Sequence, residues 1–90
     1  MNLLLKKAVH HARAQRNEEI QKIADFLEES DRPVAINVLA DHIGATPLRA
    51  GNLLDELRLA LLEGRNRYRL RRERAHVRAP YHYYFHDRGE

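Results

Sequence analysis

Seven arginines fall within fourteen residues, at Arg65, Arg67, Arg69, Arg71, Arg72, Arg74 and Arg78. The first four recur at every second position, which on an extended strand places them on one face while Tyr68 and Leu70 point to the other. A planar guanidinium forks onto phosphate oxygens, so such a stripe suits a nucleic-acid backbone or a minor groove. Charge also protects an edge strand from pairing with other chains, but seven arginines exceed that need. Upstream, Arg49 and Asn52 stand near the start of a helical stretch, beside Thr46, Leu48 and Gly51. Arginine pairs with guanine and asparagine with adenine through two hydrogen bonds each, so this end of the helix has the chemistry to read base edges.

Other chemistry is less favoured. There are six histidines and no cysteine. His10 and His11 are adjacent, and His82 and His86 are four apart, but zinc needs three or four convergent ligands, so no metal and no cofactor is expected. The run Tyr81-His82-Tyr83-Tyr84-Phe85 suits stacking on single-stranded bases, although core filling or a homodimer contact is the commoner use. No nucleophile–base set, glycine-rich phosphate loop or pair of catalytic carboxylates is present. Asp55 and Glu56 read as solvated helix surface, and the chain is not expected to be an enzyme.

Ninety residues suffice for one domain with a modest core. The net charge of +3 is unevenly spread. Residues 1–30 sum to zero, 31–63 to −2 and 64–90 to +5. Lys6, Lys7, Arg13 and Arg16 all precede the first acid, Glu18, so positive charge gathers at the two ends of the chain. That asymmetry favours an anionic partner. No apolar run approaches the ~20 residues that cross a bilayer, and the leading MNLLLKK has its charges on the wrong side of its leucines for a signal peptide. No membrane is expected. Without cysteine, a reducing cytoplasm is the simplest location.

Residues 2–16 predict a basic, weakly amphipathic helix with Leu5, Ala8, Val9 and Ala12 at helical spacing. Asn17 can cap a helix carrying Ile20, Ile23, Ala24 and Leu27 as its apolar stripe, and the pattern fits either one helix over 2–29 or two. Ser30 to Pro33 ends it, and Val34 to Ile36 predict a short extended piece. A helix over Asn37–Ile43 follows, closed by Gly44. Thr46 caps the next helix, with Pro47 in its first turn and Ala50, Leu53, Leu54, Leu57 and Leu61 on its buried side, ending at Gly64. Beyond it the period changes to two. A first strand carries Tyr68 and Leu70, with a turn at Glu73-Arg74-Ala75. A second strand carries Val77, Ala79, Tyr81, Tyr83 and Phe85 on one face and His76, Arg78, His82 and Tyr84 on the other. Pro80 makes that strand an edge or breaks it. Asp87 to Glu90 are expected to fray.

The stretch from Arg16 to Leu57 resembles the DNA-binding domain of DeoR-type and related winged-helix transcriptional regulators. Glu18-Glu19-Ile20, Ile23, Leu27, Pro33-Val34, Leu39-Ala40-Asp41-His42-Ile43-Gly44, Thr46-Pro47 and Leu54-Asp55-Glu56-Leu57 carry the resemblance. It covers about half the chain. Such families usually place two basic residues where this chain has Gly51 and Asn52, and Ser or Thr where it has Ala35. The resemblance implies a mainly α fold with a small β-hairpin: a winged helix-turn-helix over 17–86, with an added N-terminal helix or dimerisation extension over 1–16. It implies sequence-specific duplex DNA binding and transcription regulation. The expected contacts are Thr46, Leu48, Arg49 and Asn52 on the helix, the seven hairpin arginines, and Lys6, Lys7, Arg13 and Arg16. A homodimer is expected, held by Leu3, Leu4, Leu5 and Val9. The competing expectation is a protein-interaction module that docks an acidic partner through its basic wing and aromatic tail.

Overall fold

Residues 17–88 are described by a computed structural model of the chain. The expected helix over 2–16, its apolar residues and the cations Lys6, Lys7, Arg13 and Arg16 lie outside the described residues.

Helix α1 (Asn17–Glu29) buries the expected stripe of Ile20, Ile23, Ala24 and Leu27. Asn17 is itself helical rather than a flanking cap. At the other end the Ser30 hydroxyl donates to the Phe26 carbonyl at 2.7 Å, an acceptor that also takes the Ser30 N–H at 3.1 Å. Strand β1 (Val34–Ala35) follows Pro33. Helix α2 (Ile36–Ile43) begins one residue earlier than expected, after Ala35 at φ −63°, ψ 144°, which offers no side-chain cap. Gly44 closes it at φ 67°, with Gly44 N–H bonded to the Asp41 carbonyl at 3.2 Å and Ala45 N–H to the Ala40 carbonyl at 2.9 Å. Those paired bonds form a left-handed helix stop that glycine takes without strain.

Helix α3 (Pro47–Glu63) starts as the residues predict, with Thr46 Oγ1 accepting from Arg49 N–H at 3.2 Å. Its buried face comprises Ala50, Leu53, Leu54, Leu57, Ala60 and Leu61. Gly64 flanks the end but keeps φ −78°, and the left-handed turn falls on Arg65 at φ 50°. Arg65 N–H bonds to the Leu62 carbonyl at 3.1 Å and Asn66 N–H to the Leu61 carbonyl at 3.0 Å, the same stop as at Gly44 built on a residue that pays for its Cβ.

Strands β2 (Tyr68–Glu73) and β3 (His82–Asp87) pair antiparallel, and β1 adds to the other side of β3. Among the described residues the architecture is therefore a small α+β domain of three helices and a three-stranded antiparallel sheet in the order β1-β3-β2, the expected hairpin being joined by β1 as a third strand. The expected turn at residues 73–75 is replaced by a loop over 74–81, and β3 starts at His82 instead of near Val77. The chain there lacks the glycine or asparagine that a two-residue hairpin requires. His76, Val77, Arg78 and Ala79 thus leave the strand, and Pro80 sits where no ladder needs its missing N–H. At the far end Asp87 belongs to β3 and Arg88 N–H bonds to the Arg67 carbonyl at 2.9 Å, so these two residues are ordered by pairing rather than frayed.

The core lies between the helices and one face of the sheet, where Leu70 and Tyr83 are buried and Tyr68, Tyr81 and Phe85 pack beside them. The register sets Leu70 opposite Phe85 and Arg72 opposite Tyr83 on that face. By alternation, Arg69, Arg71 and Glu73 share the other face with their partners His86, Tyr84 and His82.

Candidate nucleic-acid interface

The exposed start of α3 is assembled by its cap. The Thr46 hydroxyl is spent on the Arg49 backbone, while Leu48 stands 77% exposed and Asn52 is also exposed. Gly51 is half-buried, and a Cβ there would meet only Ile36 Cδ1 at 3.6 Å, an ordinary contact. Arg49 is engaged. Its Nε donates to Glu19 Oε2 at 3.1 Å and its Nη2 to Glu19 Oε1 at 2.5 Å, a forked pair tying α3 to α1. The hydrogen bond to Glu19 and that carboxylate's charge raise the arginine pKa. Both partners reach solvent, so the pair is a weak surface interaction. Glu56, expected as solvated surface, is half-buried, whereas Asp55 is exposed.

The seven hairpin arginines do not form one stripe. Arg65 lies at the helix stop, before the strand, and is exposed. Arg67 forks onto Asp87, with Nε to Oδ1 at 3.2 Å and Nη2 to Oδ2 at 2.5 Å, and its guanidinium lies 5.5 Å from the Tyr68 ring centre. Arg69 donates to the Asn66 carbonyl and, at 2.9 Å, to the Tyr68 carbonyl. These two arginines fasten the start of the hairpin. Arg71 is exposed on the outer face. Arg72, on the opposite face, and Arg74, in the loop, converge on one ring, 4.0 and 4.6 Å from the Tyr81 centre. A hydrogen bond to Tyr83 raises the Arg72 pKa against slight desolvation. Arg74 also donates to the Val77 carbonyl at 2.9 Å, and the Arg78 N–H donates to His76 Nδ1 at 3.3 Å. Arg65, Arg71, Arg72, Arg74 and Arg78 make no ion pair among the described residues. An arginine stacked on an aromatic ring keeps its charge and loses some of its freedom, which pre-organises it for an anion.

Two contributors escaped sequence reasoning. Asn66 is the one buried polar residue among those described, and its Oδ1 accepts from the Tyr68 N–H at 2.9 Å, setting the angle at which β2 leaves α3. Asparagine directly ahead of an alternating run is the signal for such a turn. Tyr81, expected on the second strand, lies just outside β3 and serves as the platform for Arg72 and Arg74. Tyrosines interleaved with arginines are its signal.

Among the described residues no three histidine or acidic side chains converge in a way that could hold a metal ion, and no helix is long and apolar enough to cross a membrane. No protein-family profile, curated protein or solved structure matches this chain.

Proposed function

We propose that the chain is a winged-helix protein that binds duplex DNA and regulates transcription. The helix pair α2–α3 forms the helix-turn-helix, and the β2–β3 hairpin with its 74–81 loop forms the wing. The observation that carries this reading is the set of five arginines on and around the hairpin that make no ion pair among the described residues, with Asp55 acting only at a distance on Arg72. Charge left unpaired at one end of a small domain favours phosphate. The element order α1-β1-α2-α3-β2-β3 supports the winged-helix assignment, since it delivers the hairpin directly from the end of the candidate recognition helix. In this reading Asn52, and Arg49 once it leaves Glu19, face base edges, while the wing follows the backbone. Binding as a homodimer would supply the contact surface that a single such module lacks.

A second reading, a module for an acidic protein partner, draws on a separate observation. The Arg49–Glu19 pair occupies the only arginine at the start of α3, and Leu48 beside it presents an apolar side chain to solvent. Affinity for random-sequence duplex DNA across a salt series separates the two. Engagement of about five phosphates gives a slope of log K against log salt near −4.5. Absence of binding at micromolar protein and low salt would discard the DNA reading in favour of the acidic partner.

A further inference from the structure

We propose that the outer face of the sheet is a second nucleic-acid surface, one that takes unpaired bases from a single strand by stacking. This inference goes beyond the duplex reading, which uses α3 and the hairpin arginines, and shares Arg71 with it.

The burial of Leu70 and Tyr83 sends the alternate residues of both strands outward. His82, Tyr84 and His86 then form a row of rings along β3, with Arg71 paired beside Tyr84 and Arg69 beside His86. Successive rings on one strand face are about 6.8 Å apart, twice the ~3.4 Å rise of stacked bases along one strand. The row therefore suits a splayed single strand, with its bases separated and each laid on its own ring. A duplex cannot use it, because its bases are already stacked on one another.

The state of these side chains points the same way. Nothing among the described residues gives the side chains of His82, Tyr84, His86 or Arg71 a hydrogen bond, an ion pair or a ring contact. The aromatic rings of the inner side are engaged: Tyr68 lies 6.2 Å from Phe85, and Tyr81 lies 6.4 Å from Tyr83. The outer rings are half-buried, and none of them belongs to the core cluster. Arg69 is fixed by backbone carbonyls and Arg71 is free, so the face offers one held and one adaptable cation to the phosphates between bases. Glu73 beside His82 is the single acid on β2 and β3 of this face, and it places the favoured phosphate path toward the Arg69 end. Tyr84 also borders a groove of about 310 Å³ at the sheet edge, where Glu28 and Asp31 turn a phosphate chain away and Leu27, Tyr68 and Phe85 belong to the inner side.

The test is fluorescence anisotropy with labelled twelve-nucleotide oligothymidine, its abasic counterpart and a twelve-base-pair duplex, each titrated with the full chain at low salt. Wild type should bind oligothymidine at least tenfold more tightly than the abasic strand. Tyr84→Ala should weaken oligothymidine about tenfold, the scale of one lost base stack, and leave duplex affinity unchanged. Tyr84→Phe should retain it. Should Tyr84→Ala lower the melting midpoint sharply, His86→Ala reads the same face and should also weaken the single strand selectively. Equal binding of abasic and base-bearing strands overturns the proposal, as does an unchanged single-strand affinity in both alanine variants, or a parallel loss on single strand and duplex. Loss of duplex binding alone would count against the winged-helix reading and leave this one standing.

Discussion

At the scale of single residues, Arg65 is the position most at odds with its backbone. A left-handed conformation costs a non-glycine residue roughly 1 kcal/mol, and Gly64 is next to it in the chain but not in the strained place. Strain retained at an exposed arginine suggests that its side chain is needed there. Arg65→Gly should therefore raise the unfolding free energy by about 0.5–1 kcal/mol in urea titration and weaken duplex binding at the same time. A variant that gained stability and lost no affinity would remove Arg65 from the interface. Glu19 poses the reverse case. Its removal releases the forked pair from Arg49, so Glu19→Ala should strengthen binding to duplex DNA, while loss of so exposed a pair costs less than about 1 kcal/mol. Weaker binding would show that the pair positions α3 rather than competing with the ligand.

Among the elements, α3 unites the two halves of the molecule, with one face in the core and its first turn exposed. Leu54 is fully buried against the other helices, and Leu54→Ala should cost about 2–5 kcal/mol, most of the stability of so small a domain. Gly51 is helical, and the space beyond it accepts a methyl group, so Gly51→Ala should stabilise by roughly 0.5–1 kcal/mol. Both are read from denaturation midpoints, and a loss of stability in Gly51→Ala would mean that Ile36 cannot yield. The hairpin owes its position to contacts at its base: Asn66 turns the chain, Arg67 binds Asp87, and Arg69 binds two carbonyls. Arginines that alternate alike in sequence thus divide into two that fasten the hairpin and others that it leaves without an ion pair among the described residues.

For the whole molecule, the proposed duplex reading divides the work between α3 and the hairpin and predicts two kinds of mutant. Asn52→Ala should cost roughly 1–3 kcal/mol on a selected site and little on random duplex, because only a base edge rewards its side-chain amide. Arg78→Ala should weaken both alike and flatten the salt slope by about one unit. Paired affinities for the two variants check this, and a change of preferred site in Arg78→Ala alone would transfer sequence reading to the wing. Much of this layout was legible beforehand. The stripe of α1, the Gly44 stop, the Thr46-Pro47 start and the buried face of α3 are local patterns, set by helical periodicity and by which residues satisfy the groups at helix ends. Strand partners, the long 74–81 loop and the joining of β1 to β3 were not, because register depends on residues distant in the chain. The sequence by itself determined where cations are plentiful. Only the tertiary structure decided which of them are free, since Glu19 and Asp87 reach Arg49 and Arg67 across 30 and 20 positions, and ion pairing depends on distance in space.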